Sequence, residues 1–283
     1  MTVCIVTMFF DLRKYFGSNT ATRDVDFYMT NGKETLSVSQ PMVIFCDSTM
    51  RGKIETLRGE RPTFYVEKNL EDYDHVKMLF PLIIKNRENS PVYNNPTERN
   101  TPMHMLCTSF KFTALYLAKQ LYTADTYMWL DFGGGHVLRN LHSSVEAICE
   151  CPRPKIACCY IHYRSSHELY PMRKFLEYGG PCSIATTSFT VGSDYVDKLF
   201  TKSMSILYEQ VTQGVGHTDE QIIVYISNQH PEWFSIYYGD YYSVLTNYHK
   251  TVEDIESVKH FFIQNAQRDN QYALVEDAYK SLQ

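Results

Sequence analysis

The sequence has no excess of positive charge. Its formal net charge is -5, which gives no support to nucleic-acid binding, since that calls for a basic face. No apolar run approaches the ~18 residues a membrane helix needs. There is no Cys-x-x-Cys pair, and the eight cysteines are scattered. Cys4, Cys46, Cys158 and Cys159 sit in apolar runs, where a thiol behaves as a small hydrophobe. Cys149 and Cys151 lie near His142, but no second pair has zinc-ligand spacing. An Asn-x-Ser/Thr sequon is absent as well, so a reducing, cytoplasmic compartment is expected. Walker A, G-x-G-x-x-G, G-x-S-x-G and H-E-x-x-H patterns are all missing, which removes the commonest nucleotide-binding and hydrolase classes. The start, Met1 to Phe10, is apolar but short, without a basic leader or a small-residue cleavage site. It reads as a first strand rather than a signal peptide.

What is present suits a folded α/β chain. Hydrophobic residues make up 44% and charged residues 21%, enough to bury a sizeable core. Tyrosine occurs 22 times; rings with a polar tip suit half-wet surfaces such as sugar clefts, and ordinary core packing equally. Continuous apolar runs at Val3–Phe10, Met42–Cys46, Thr63–Val66, Tyr127–Asp131 and Lys155–Tyr163, with a further run at Ser183–Thr190, predict strands buried in a mostly parallel sheet. Helical spacing marks Leu70–Lys85, Met103–Tyr122, a helix opened by Ser193 or Asp194 and running to about Gln213, and one after a Thr218/Gln221 capping box. Strands alternating with helices imply an α/β sheet flanked by helices, in a single domain over 1–283. Residues 86–102, rich in Pro and Asn, read as an irregular insertion, and 251–283 as an amphipathic helical segment.

The densest chemistry lies at Tyr127-Met128-Trp129-Leu130-Asp131-Phe132-Gly133-Gly134-Gly135-His136. An apolar strand delivers Asp131 to the carboxyl edge of a sheet, where open α/β folds bind ligands. The glycines then allow close approach of the backbone. Thr7 to Arg13, Asp47 to Arg51 and Gly179-Gly180 are other candidate segments at or near strand ends. Lys111 stands in the middle of a helix, and Asp219-Glu220 at the start of another.

The order TMFFD, MVIFCD, a Lys-containing helix, WLDFG, YGG, GVGHTDEQ and YYGDYYSVLTNYH resembles the HtrL/YibB family over roughly Val3 to His249. That family looks like nucleotide-sugar glycosyltransferases of the GT-A fold, a Rossmann-like arrangement. The chain also resembles the glycosyltransferases that large DNA viruses of algae encode for their capsid glycans. The resemblance implies a sugar moved from a UDP-sugar, with UDP-xylose the best single choice, onto a glycan acceptor, with inversion. Thr7, Phe9 and Asp11 would hold base and ribose. Asp47 would lie near uracil or ribose. Arg13, Arg51 and Lys111 would meet the diphosphate or donor sugar. Asp131 matches the first carboxylate of a DxD-type metal motif, but Gly133 stands where the second would be. His136 and His249 are the candidates to complete a site for Mn²⁺ or Mg²⁺, with a metal-free mechanism as the alternative. Asp219, then Glu220, would act as the base toward the acceptor hydroxyl. Gly179, Gly180, His217, Tyr238 and Asp240 would shape the acceptor side. The rival expectation is a non-catalytic carbohydrate-binding or assembly protein that keeps this fold.

Overall fold

A computed structural model of the chain describes residues 1–15, 23–88, 101–161, 184–214 and 219–250. The expected segment 251–283, most of the 86–102 insertion, Gly179, Gly180, His217 and Thr218 lie outside the described residues.

Seven strands form one sheet: β1 (Val3–Phe9), β2 (Met42–Cys46), β3 (Thr63–Glu67), β4 (Thr126–Leu130), β5 (Ile156–Tyr160), β6 (Ile184–Gly192) and β7 (Phe234–Tyr238), in the order β3-β2-β1-β4-β6-β5-β7. β3, β2, β1 and β4 run parallel, as do β5 and β7; β6 runs antiparallel to both its neighbours. The mostly parallel sheet read from the apolar runs is therefore what the chain forms.

Residues of the central strands are buried on both sides, and period two sorts them between two cores. Cys4, Val6, Val43, Phe45, Tyr127 and Trp129 face one layer. Val3, Ile5, Met42, Ile44, Met128 and Leu130 face the other. The first layer packs under α3 (Asp74–Glu88), α4 (Pro102–Leu121), α6 (Ser193–Thr212) and α7 (Asp219–Gln229). The second packs under α1 (Val25–Leu36), α2 (Ser48–Arg58) and α5 (Leu141–Glu150).

Capping explains several helix starts. Asp24 accepts from Phe27 N, and Thr101 from His104 N with Pro102 at the first helical position. The insertion read over 86–102 is trimmed at both ends: Asn86 still belongs to α3 and Pro102 already opens α4. α6 starts at Ser193 after Gly192, with no side-chain cap, so neither Ser193 nor Asp194 caps it. Strand β7 and helices α2 and α5 are elements the sequence reading did not anticipate.

A buried arginine ties the second layer together. Arg58 is fully buried and donates to the carbonyls of Leu36, Val38, Gln40 and Pro62 and to Thr63 Oγ1, at 2.5–3.1 Å. Burial, and then nearby Arg61, push its pKa down to about 10. Among the described residues no helix is long and apolar enough to cross a membrane.

Candidate functional site

The carboxyl ends of β1 and β4, the glycine turn after β4, and one side of α4 enclose a cavity of about 590 Å³. That is within the range of ligand pockets, about 300–1,000 Å³. Phe9, Asp11, Arg13, Lys111, Asp131, Gly133 and His136, all singled out from the sequence, line it.

β4 positions the centre. Trp129 and Asp131 lie two residues apart on one side of the strand, and the indole Nε1–H donates to Asp131 Oδ1 at 2.6 Å. The Asp131 amide donates to the Thr187 carbonyl on β6 at 2.8 Å. Gly134 N returns to the Asp131 carbonyl at 2.9 Å and starts the 3-10 turn Gly134–His136. The glycines serve packing against α1: a Cβ on Gly135 would lie 2.6 Å from the Asn31 carbonyl, and one on Gly32 would collide with the Phe132 ring. This close approach brings Tyr28 beside Phe9 (5.4 Å) and Phe9 over Phe132 (4.8 Å, 25°), an aromatic wall for the cavity.

Lys111 reaches the floor from the buried side of α4. Its Nζ lies 2.6 Å from Asp219 Oδ2 and 3.5 Å from Asp131 Oδ1, and donates to the Thr186 carbonyl at 3.1 Å. The Lys111 and Asp219 side chains are 5% and 4% exposed, that of Asp131 40%. Burial alone would depress the ammonium, but Asp131 and Asp219 outweigh it and hold its pKa above the ordinary value. Asp131 is also held above its ordinary value, by desolvation first and by the charge of Asp219, against the pull of Lys111. Two perturbed groups in contact at a cleft floor make this a candidate functional site.

At the mouth, Asp11 takes a two-pronged bond from Arg13, Nε to Oδ1 at 2.8 Å and Nη2 to Oδ2 at 2.7 Å, which lowers the carboxyl pKa. Arg23 lies over the Phe27 ring at 4.8 Å.

The structure separates the remaining candidates. Asp219 does not line the cavity but lies beneath Lys111. Glu220 meets the cavity through Tyr241, whose hydroxyl donates to its Oε1 at 3.0 Å. Thr7 is fully buried inside the sheet. Asp47 stands one layer behind Asp11, accepting its amide at 2.9 Å while capping α2 through Met50 N at 3.1 Å. Arg51 is turned to Glu55 (2.9 Å) and the face of Tyr65. Tyr238, in β7, packs edge-on to Tyr160 of β5. Asp240 is taken up by the amides of Tyr242 and Ser243 in its own turn. Tyr28, Trp129, Phe132, Arg23, His104 and Cys107 line the cavity without having been assigned to it. Trp129 and Phe132 had a signal, their place on either side of Asp131; Arg23 and His104 had none.

The expected metal set does not assemble. His136 Nδ1 is 2.5 Å from the Gly133 carbonyl, and His249 Nε2 is 3.0 Å from the Ala147 carbonyl on α5. Among the described residues no three His, Cys, Asp or Glu side chains converge on one point. A hard divalent ion takes about six oxygens; of the described carboxylates that line the cavity, Asp131 has an ammonium beside it and Asp11 is paired with Arg13. These residues do not fit a metal cage.

No family model matches the chain, and no curated protein matches it. Among solved structures, the galactosyltransferase LgtC in complex with donor and acceptor sugar analogs is 11% identical; the match covers 82% of this chain and 72% of that one, with a TM-score of 0.47. Mouse xyloside xylosyltransferase 1 in its apo form is 11% identical over 83% of this chain and 85% of that one, TM-score 0.41. CMP:2-keto-3-deoxy-manno-octonic acid synthetase complexed with CTP is 10% identical over 95% of this chain and all of that one, TM-score 0.40. Likeness at this distance carries nothing about what the chain binds or does.

Proposed function

We propose that the chain is a glycosyltransferase that takes its sugar from a UDP-sugar. The observation that carries this is the convergence of Lys111, Asp131 and Arg13 on one aromatic-walled cavity at the carboxyl edge of the parallel strands. Such an edge is where open α/β sheets hold ligands. A nucleotide suits the wall of Phe9, Tyr28 and Phe132, and a diphosphate entering at the mouth would draw Arg13 from its pairing with Asp11.

In this reading the acceptor hydroxyl oxygen attacks the anomeric carbon, the bond from that carbon to the diphosphate oxygen breaks, and UDP leaves. The hydroxyl proton passes to the Tyr241 oxygen as Tyr241 gives its own to Glu220, along the 3.0 Å bond between them. Asp219, buried beneath Lys111, holds the ammonium in place. This exchanges the order expected for the two carboxylates, because exposure and not sequence position decides which can meet an acceptor.

The test is thermal unfolding with a panel of nucleotide sugars, UDP-xylose among them, followed by release of UDP. A ligand that binds only the folded state at ~100 times its Kd adds ~2.7 kcal/mol. Stabilisation by UDP-sugars together with slow UDP release supports the reading. A folded protein unmoved by every donor would sink it, and would favour a non-catalytic carbohydrate-binding protein.

A further inference from the structure

The charges around the cavity are not matched evenly along it. Arg13, Arg23 and Lys111 are the Arg and Lys side chains that line it among the described residues. Arg13 is held by both oxygens of Asp11, at 2.8 and 2.7 Å, so that pair is close to neutral. Lys111 faces two carboxylates at the floor, Asp219 at 2.6 Å and Asp131 at 3.5 Å, and one ammonium cannot offset both. Glu220 adds a third carboxylate on that side, accepting at 3.0 Å from Tyr241, which lines the cavity. Cys107, also in the lining, brings no charge at neutral pH, since burial pushes its thiol up to about 12. Arg23 is the reverse case. Its guanidinium lies over the Phe27 ring at 4.8 Å and makes no ion pair among the described residues. The surplus is thus negative at the floor and positive at the mouth. Asp131 Oδ1 takes the Trp129 indole, while Oδ2 has no donor among the described residues and the side chain is 40% exposed. A carboxylate oxygen in that state accepts from hydroxyls and repels another anion.

We propose that this cavity selects a donor whose sugar carries no negative charge: the diphosphate stays toward Arg23, the sugar turns its hydroxyls to Asp131, and a sugar bearing a carboxylate is refused. This rests on the donor-site reading above. A carboxylate on the sugar would give up its water for a floor of three carboxylates and one ammonium. A hydroxymethyl group in its place gives up far less and finds an acceptor. Specificity then comes from the penalty against the wrong sugar as much as from bonds to the right one.

UDP-glucose and UDP-glucuronic acid are the probes, because they differ only in carrying a hydroxymethyl or a carboxylate on the same carbon of the sugar. Calorimetric titrations are run with both, and with UDP as reference, on the wild type and on Asp131→Asn, which keeps the shape and removes one floor charge. The wild type should bind UDP-glucuronic acid roughly tenfold or more weakly than UDP-glucose. In Asp131→Asn the gap should narrow to about threefold or less. Arg23→Gln should weaken all three ligands by a similar factor, since the diphosphate is common to them; unchanged UDP affinity there would overturn the orientation. A wild type that binds UDP but takes UDP-glucuronic acid no more weakly than UDP-glucose overturns the inference while the donor site stands. A gap that Asp131→Asn leaves unchanged assigns the refusal to shape and overturns it as well. If UDP itself does not bind, the inference and the donor reading fall together. Where Asp131→Asn does not fold, Glu220→Gln removes another of the three charges and takes its place.

Discussion

Asp219→Asn isolates the charge that holds Lys111. Asparagine keeps the shape and one acceptor oxygen and removes the negative charge 2.6 Å from Nζ. At an effective dielectric of about 20, unit charges at that separation attract by ~6 kcal/mol. Part of this disappears from the balance, because the desolvation of the buried carboxylate goes with it. Removing one partner of a buried pair costs ~3–5 kcal/mol. Lys111 keeps the Thr186 carbonyl at 3.1 Å and Asp131 at 3.5 Å, so the lower end applies, ~3 kcal/mol. At about 2–4 °C per kcal/mol for a chain near this size, Tm should fall by roughly 6–12 °C. The assay is urea unfolding followed by circular dichroism, with a thermal scan beside it. The double variant Lys111→Met with Asp219→Leu removes both buried charges and should return to within ~1 kcal/mol of wild type, since a buried pair adds little over well-packed apolar groups. A loss below ~1 kcal/mol in Asp219→Asn, or a double variant no more stable than the single, would refute the account of the cluster.

Four further outcomes follow from the same geometry. Asp131 has a folded-state pKa above its unfolded value, so its contribution favours folding at low pH and is lost as pH rises through the folded value; Asp131→Asn should therefore raise Tm at pH 7, with the gap closing toward pH ~4, while abolishing UDP release, and a lower Tm at pH 7 would contradict it. His75 packs on Phe110 with planes 13° apart, and burial lowers its pKa to about 4 from 6.5. Its neutral ring supports the fold fully above pH 6.5, and that support is lost as pH falls toward 4; His75→Phe should flatten the stability profile in this window. Arg58→Met takes the guanidinium from four carbonyls and a hydroxyl, of which the Pro62 carbonyl keeps the Met42 amide, and should cost ~3–5 kcal/mol in urea unfolding. Tyr241→Phe breaks the path to Glu220 and should slow transfer while UDP affinity stays within about twofold, a split read from initial rates and calorimetry.

The sheet was legible because β1, β2 and β4 are buried on both faces and therefore write themselves as unbroken apolar runs. β7 was not, because Phe234–Tyr238 carries three aromatic residues, two of them tyrosines equally suited to a sugar-facing surface. α2 and α5 were hidden because they are short, and because Asp47, at the end of β2, reads as a ligand as readily as a helix cap; it is the cap. Asp131 could be found from its strand and glycines alone. Its pairing with Lys111 and Asp219 could not, since that contact joins β4, α4 and α7 across the fold and leaves no local pattern. The same limit placed His249 at the centre when it packs on α5.

Strand β6 reverses direction against β4, so its beginning lies where β4 ends. It reaches the cavity floor through main-chain oxygens: Thr186 O accepts from Lys111, and Thr187 O from the Asp131 amide. Every residue type carries that oxygen. Thr186 and Thr187 are thus free to drift among small or β-branched residues in a saturation library, while Lys111 and Asp131 tolerate almost nothing, and a segment at the heart of the site would look, from its mutational record, like ordinary scaffold.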